Sequence, residues 1–254
     1  MIRMIMHGCN GAMGQVVAQI AEKDLDISIV AGVDICTEKH NEFPVYSALE
    51  EVKEEADVIV DFASAKAVDN LLLFCQKRKM PVVLCTTGLS QEQIKAVEES
   101  AKETAVLRSA NMSLGINLLF KLVAEAAKTL ASAGFDMEIV EKHHNQKMDA
   151  PSGTALALAD SLNHALEEEY SYVYDRSQKR EKRSAKEIGI SSVRGGSIVG
   201  EHDVIFAGND EVITISHTAY SKAIFAKGAV AAAKFLAGKE PGMYTMADVV
   251  AEER

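Results

Sequence analysis

The stretch I-R-M-I-M-H-G-C-N-G-A-M-G, residues 2–14, decides the fold of this chain. Residues 2–6 read as a buried strand, and residues 15–21 (Q-V-V-A-Q-I-A) as a helix. Between them lie Gly8, Gly11 and Gly14, spaced G-x-x-G-x-x-G. A glycine loop in that place lets backbone N–H groups approach a pyrophosphate at the positive end of a helix. Gly11 and Gly14 match the last two glycines of the common dinucleotide fingerprint, and Cys9 stands at its first. The next strand, 27–33, runs into Asp34, 20 residues after Gly14. An acid there can hydrogen-bond the ribose hydroxyls of an adenosine. A tight turn without a ligand is the plain alternative; strand, loop, helix and acid together favour a dinucleotide site. Ile35 stands where an arginine would clamp a 2′-phosphate, which leans toward NADH, although Lys39 offers a charge nearby.

Outward from this unit the first half keeps alternating. Residues 57–62, 82–85 and 105–107 read as strands, 65–79 and 91–103 as helices, and Pro81 stops the first of these helices. Such alternation predicts βαβ units and a parallel sheet. In an open parallel sheet ligands lie beyond the carboxyl ends of the strands. Thr86-Thr87-Gly88 and Ser109-Ala110-Asn111-Met112 are therefore placed to line a nicotinamide, and Phe62 to pack on its ring.

After Asn111 the rhythm changes. Ser113 can cap a helix running to about 133, with Gly134 as its stop. Phe135, Met137 and Ile139 alternate with Asp136 and Glu138, which is strand periodicity. A Pro-Ser-Gly-Thr turn opens a helix reaching about 166. The charged stretch 167–186, with bases at Arg176, Lys179, Arg180, Lys182, Arg183 and Lys186, reads as a mobile solvated loop. Strands at 188–194, 198–207 and 211–217 follow, with Gly195-Gly196 and Gly208-Asn209 as hairpin turns. An Ala-rich helix at 223–236 comes last, closed by Gly238 and Pro241. The expectation is a Rossmann-like parallel-sheet cofactor domain plus an α+β second domain with a mixed or antiparallel sheet.

Composition narrows the class. The 254 residues are 48% hydrophobic and 25% charged, which is ordinary globular usage. A net charge of −10 argues against a nucleic-acid partner, which would want a basic surface. Cys9, Cys36, Cys75 and Cys85 are scattered without a C-x-x-C pair, as free thiols in a reducing compartment would be. The start, M-I-R-M-I-M-H-G, is too short and glycine-broken for a signal peptide. No apolar run approaches the roughly 20 residues of a membrane helix. No membrane partner and a cytoplasmic location are expected.

The richest chemistry lies in E-K-H-H-N-Q-K-M-D-A-P-S-G-T-A, residues 141–155. His143 and His144 are adjacent near a strand end, so their side chains point to opposite faces. That disfavours joint chelation, and no third ligand stands at suitable spacing; no metal is expected. One histidine facing a pocket suits an acid or hydrogen-bond donor. Lys147 can donate a proton or hold a carboxylate. Ser152, Gly153 and Thr154 sit at a helix start, where N–H groups bind anions. Asp149 and Pro151 shape the turn. A capped, salt-bridged loop is the plain alternative.

These residues resemble those of the 4-hydroxy-tetrahydrodipicolinate (dihydrodipicolinate) reductase family. The resemblance spans nearly the whole length: G-C-N-G-A-M-G at 8–14, D-F at 61–62, C-T-T-G at 85–88, S-A-N-M-S-L-G-I-N at 109–117, the 141–155 segment, and V-R-G-G-S-I-V-G-E-H at 193–202. It implies reduction of 4-hydroxy-tetrahydrodipicolinate to tetrahydrodipicolinate by NADH or NADPH, with loss of water, on the diaminopimelate route to lysine. It implies that His143 is the proton donor or acceptor, with Lys147 as partner proton donor. His144, Gly153 and Thr154 are implied as substrate carboxylate contacts. Gly8, Cys9, Asn10, Gly11, Ala12, Met13, Asp34, Cys85, Thr86, Thr87, Ser109, Ala110, Asn111 and Met112 are implied as cofactor contacts. The implied domains are 1–112 with 221–254 for the dinucleotide and 113–220 for substrate and oligomerisation, in a homotetramer. Two departures stand out: Ile35 lacks the positive charge of members favouring NADPH, and Asn145 stands where many carry arginine.

Two other readings compete. A nicotinamide dehydrogenase of sugars or amino-acid semialdehydes is one; the semialdehyde enzymes usually need a nucleophilic cysteine, and none follows Cys85. A non-catalytic dinucleotide sensor would keep Gly11, Gly14 and Asp34 but would have no use for Lys147 and the anion cradle.

Overall fold

The computed structural model describes residues 1–38, 41–109, 111–167 and 169–252. In chain order the first elements are β1 (Ile2–His7), α1 (Ala12–Ala21), β2 (Ile27–Val33), β3 (Val45–Tyr46), β4 (Val58–Asp61), α2 (Val68–Arg78), β5 (Val82–Leu84), α3 (Gln91–Ser100) and β6 (Ala105–Arg108). Then come α4 (Leu114–Leu130), β7 (Asp136–His143), α5 (Gly153–His164), β8 (Ser171–Val173), β9 (Glu187–Arg194), β10 (Gly200–Ala207) and β11 (Val212–Ala219). Last are α6 (Ala223–Leu236), β12 (Gly242–Tyr244) and α7 (Met246–Glu252). Two compact units result: Met1–Leu114 with Ala223–Arg254, and Gly115–Lys222. Among the described residues no helix is long and apolar enough to cross a membrane.

The first unit holds a seven-stranded sheet ordered β12-β6-β5-β4-β1-β2-β3, parallel at every pairing. Both faces are covered, which explains why its strands read as unbroken apolar runs. Met4 and Met6 of β1 pack with Val17 of α1, with Ala226 and Ala233 of α6 and with Val249 of α7. Ile5, between those methionines, packs on the other face with Leu71 and Phe74 of α2 and with Val97 of α3. The strand order reverses beside β1: the chain passes from β1 to β2 and β3 on one side, then crosses back to β4 on the other.

The second unit is an α+β layer. Its sheet runs β11-β10-β7-β9-β8 and is mixed: β7 pairs parallel with β9 and antiparallel with β10. Met137 and Ile139 of β7, Ile188 and Ile190 of β9, and Val204 and Phe206 of β10 face α4 and α5. The opposite face is polar in part, with Lys142 bridging Glu201 at 3.1 Å and Asp203 at 3.2 Å.

Several local expectations are corrected. Gly195-Gly196 is not a hairpin turn, because β7 lies between β9 and β10; Gly208-Asn209 does join the paired strands β10 and β11. Helix α1 starts at Ala12 rather than residue 15, since Gly11, extended at φ −70° and ψ 169°, is its N-cap. In the charged stretch Arg176 pairs with Glu138 and Glu187, and Arg183 with Asp136 and Glu138. That loop is therefore pinned to β7 and β9 rather than solvated throughout. The strands β3, β8 and β12 are two or three residues long, too short to show a period.

Candidate active site

Among the described residues, most of those expected at the cofactor lie just past the carboxyl end of a parallel strand. The loop 8–11 follows β1, Asp34 follows β2, Phe62 follows β4, Cys85 to Thr87 follow β5, and Ser109, Asn111 and Met112 follow β6. Ala12 and Met13 open α1. Ala110, like Lys39, lies outside the described residues. The parallel sheet thus gathers the set along one edge.

The glycine loop is sterically demanding. Gly8 has φ +81°, and a Cβ there would stand 2.8 Å from the Phe62 backbone. A Cβ on Gly14 would stand 2.2 Å from the Gly8 carbonyl oxygen, so the loop closes on the helix only with glycine there. No side chain caps α1, and its first turn carries no acid, which suits an incoming anion. The Asp34 carboxylate accepts the Asn10 N–H on Oδ2 and the Cys36 N–H on Oδ1, each at 2.9 Å. It therefore holds the glycine loop in register while remaining half-buried. Ile35 is 99% exposed and packs on nothing.

A buried network underlies this edge that sequence reading did not single out. Asp61, fully buried at the end of β4, lies 2.7 Å from His7 Nδ1 and accepts the Thr86 hydroxyl at 2.6 Å and the Ala63 N–H at 3.2 Å. It ties together the ends of β1, β4 and β5. Burial, and then the Asp61 charge, push the Cys85 thiol well above its ordinary value. Burial also pushes Cys75 up. Both shifts disfavour the thiolate form at these two positions, which weighs against the semialdehyde reading. Ser109 donates to the Asn111 carbonyl at 3.0 Å, and Asn111 Oδ1 accepts the Ser113 N–H at 2.8 Å, shaping the turn into α4.

In the second unit the buried face of β7 runs Met137, Ile139, Glu141, His143, turning from apolar to polar toward its end. Adjacent strands repeat this: β10 carries His202 beyond Val204 and Phe206, and β9 ends in Arg194. Pairing sets Glu141 opposite both Ser192 and His202, and His143 opposite Arg194. His143 Nδ1 lies 2.6 Å from Glu141 Oε2. Arg194 grips both Glu141 oxygens, at 2.7 and 2.8 Å, and also donates to the Asp149 carbonyl at 2.6 Å, anchoring the segment after β7. Burial alone would raise the Glu141 carboxyl. Arg194, His143, Ser192 and the Ser152 N–H outweigh it and bring it to about 2. The His143 and His202 rings meet edge to face at 5.2 Å. Burial and then His143 lower His202 to about 4, so His202 is neutral at pH 7.

His144 stands just past the end of β7, half-buried. Lys147 Nζ bridges Asp149 Oδ1 at 2.8 Å and acts electrostatically on His202. Lys147, and to a smaller extent the Asp149 and Gly153 N–H groups, hold the Asp149 carboxyl below its usual range. Ser152, the N-cap of α5, is fully engaged: its N–H donates to Glu141 at 3.1 Å and its hydroxyl accepts the Ala155 N–H at 3.1 Å. Its Oγ also lies 3.1 Å from His202 Nε2. At the start of α5 the Ser152 groups are thus committed to the chain itself, with Gly153 and Thr154 next to them in the first turn. The peptide bond Ala150–Pro151 is cis. Among the described residues no group of three or more His, Cys, Asp or Glu is placed to hold a metal ion. Glu141, Arg194 and His202 lie within the recognised motifs, but sequence reasoning assigns them no role. The E-x-H spacing of Glu141 and His143 is the signal that could have found the first, since period 2 puts both on one face.

Residues 2–112 match the family model described as dihydrodipicolinate reductase, N-terminus, and residues 115–250 match that of its C-terminus. The chain is 61% identical over 250 residues, 98% of each chain, to a 4-hydroxy-tetrahydrodipicolinate reductase of Caldanaerobacter subterraneus subsp. tengcongensis. It is 47% identical to one of Clostridium tetani, covering 97% of this chain and 96% of that one. In fold it resembles a dipicolinate-bound dihydrodipicolinate reductase from Paenisporosarcina sp. TG-14, with TM-score 0.80 and 24% identity over 96% and 97% of the two chains. By sequence over nearly its full length, the chain belongs to the dihydrodipicolinate reductase family.

Proposed function

We propose that this protein reduces 4-hydroxy-tetrahydrodipicolinate to tetrahydrodipicolinate with NADH or NADPH, as a step of diaminopimelate and lysine biosynthesis. The relatives' names support the activity. One observation carries the substrate class: Lys147 Nζ and the Gly153 amide converge on a single carboxylate, that of Asp149. The same donors, with Thr154 and His144, are suited to a carboxylate of the substrate.

The residues fit a dinucleotide. The tight turn that Gly8 and Gly14 permit, the uncapped start of α1, and Asp34 would hold its pyrophosphate and adenosine ribose. Phe62, Cys85 to Thr87 and Ser109 to Met112 would border the nicotinamide. When bound, that group supplies a hydride. His143, as proton donor or acceptor, and Lys147, as its partner proton donor, would serve the proton transfer: net replacement of the substrate hydroxyl by hydride consumes one proton as water leaves. Such a group typically contributes about 10²–10⁴-fold in rate. Exposed Ile35 favours NADH, since its own side chain offers no charge to a 2′-phosphate. Residues 1–112 with 221–254 serve the cofactor, and residues 113–220 the substrate and self-association into a cytoplasmic homotetramer; that assembly rests on family resemblance.

The test follows NADH and NADPH oxidation by absorbance with freshly generated 4-hydroxy-tetrahydrodipicolinate. Turnover of about 1–10³ s⁻¹ is expected. Absence of turnover with either cofactor, in folded protein that still binds NADH, would reject the assignment.

A further inference from the structure

Glu141 is completely buried, yet it lies on the strand that delivers the proposed proton donor. Both of its oxygens are occupied. Oε1 accepts Arg194 at 2.7 Å and the Ser152 N–H at 3.1 Å. Oε2 accepts Arg194 at 2.8 Å and lies 2.6 Å from His143 Nδ1. These four donors, with the Ser192 hydroxyl as a further one, leave no place for a carboxyl proton. An ionised carboxylate only accepts hydrogen bonds, so the hydrogen in the Glu141–His143 contact belongs to His143 Nδ1. Nε2 is then the ring nitrogen that gains and loses a proton. Space is kept beside it: a Cβ on Gly200 would stand 3.1 Å from Nε2. The His202 ring, 5.2 Å away and inclined at 74°, limits rotation of the imidazole.

We infer that Glu141 is a positioning residue of the reaction: it fixes the His143 imidazole with its proton on Nδ1, so that any proton His143 gives or takes passes through Nε2. Arg194, gripping both carboxylate oxygens, keeps Glu141 charged and oriented for this. The inference rests on His143 being the proton donor or acceptor of the proposed reductase. The local arrangement, a carboxylate setting the tautomer of a histidine that moves protons, follows from hydrogen-bond chemistry alone.

The substitution Glu141→Gln separates positioning from bulk. A carboxamide must place its NH₂ at one of the two oxygen positions. At Oε1 it would confront both Arg194 and the backbone N–H of Ser152, which cannot adapt. At Oε2 it confronts Arg194 but can donate to His143 Nδ1 once the ring proton moves to Nε2. The variant therefore reverses the His143 tautomer.

The experiment uses full-length protein labelled with ¹⁵N-histidine, with His143→Gln protein identifying the His143 signals. Nitrogen shifts of the wild type at a pH where the ring is neutral are expected to show a protonated Nδ1 and a bare Nε2. Glu141→Gln is expected to exchange the two. Steady-state kinetics on the same samples should show kcat lowered about 10–100-fold, with KM and the affinity for pyridine-2,6-dicarboxylate within about threefold, because the carboxylate contacts are untouched. A wild-type spectrum with the proton on Nε2 would overturn the inference, whether or not the variant folds. So would a folded Glu141→Gln enzyme with unaltered kcat. Wild-type protein without turnover would refute the functional reading instead, and the nitrogen spectrum would still decide the Glu141–His143 link.

Discussion

Replacing Arg194 with methionine keeps the side-chain stem and removes the charge that holds Glu141 ionised. Removing one partner of a buried pair typically costs about 3–5 kcal/mol. The Arg194 side chain retains 19% of its exposure, so water replaces part of the loss, and we expect about 2–3 kcal/mol at pH 7. The cost should depend on pH with a definite sign. The Glu141 carboxyl is depressed from 4.5 to about 2, so its stabilisation is complete above the ordinary carboxyl value and is lost as pH falls from there toward 2. The shift corresponds to about 3 kcal/mol. Without Arg194, burial dominates and the carboxyl is protonated at higher pH. The gap between wild type and variant is therefore widest near neutrality and closes as pH falls toward 3. Urea unfolding by circular dichroism from pH 7 to pH 3, at fixed protomer concentration, reads it directly. In a Glu141→Gln background the cost of Arg194→Met should drop below about 1 kcal/mol. A gap that stays constant across that pH range, or one unchanged by Glu141→Gln, would refute the reasoning.

Two further outcomes follow from the first unit. Alanine in place of glycine inside a helix ordinarily stabilises, but Gly228 of α6 lies against the Met112 backbone: its Cβ would stand 1.6 Å from the carbonyl oxygen. Gly228→Ala should therefore cost about 1–3 kcal/mol or more, lowering Tm by about 2–4 °C for each kcal/mol; an unchanged Tm would mean that α6 does not press on this turn. Ile35→Arg places a guanidinium beside the proposed adenosine ribose at a site where the native side chain packs on nothing. It should raise the NADPH to NADH ratio of kcat/KM by at least about tenfold, or 1.4 kcal/mol; an unaltered ratio would move the determinant elsewhere.

Reading the sequence located the elements whose signals are local. The loop with Gly8, Gly11 and Gly14 sits between β1 and α1 as expected, because strand ending, turn sterics and helix start are all written within a dozen residues. Residues 223–236 form α6 with the expected bounds. The alternation beginning at Phe135 pointed to β7 because period 2 is a short-range property of the chain. By contrast, Gly195-Gly196 carried every local mark of a hairpin. It fails to be one because a third strand, β7, which ends 52 positions before Gly195, inserts between the two. Short edge strands such as β12 were missed for a related reason: three residues acquire strand character only by pairing with β6.

The candidate site divides the same way. The sequence alone determined which residues could do chemistry here: His143, His144, Lys147 and the helix start at Gly153 are neighbours along the chain, and Asp34 stands at a recognisable distance from Gly14. It also determined the fold class, since alternation of period 2 and period 3.6 survives in any tertiary context. Only the tertiary structure decided how the chemistry is controlled. Arg194 reaches Glu141 across 53 positions, His202 stands beside Ser152 across 50, and Thr86 meets Asp61 across 25. Periodicity says which face a side chain occupies but not which strand lies next to it. Strand order is chosen by the packing of whole elements, and the environment that ionises Glu141 and orients His143 exists only once that order is made.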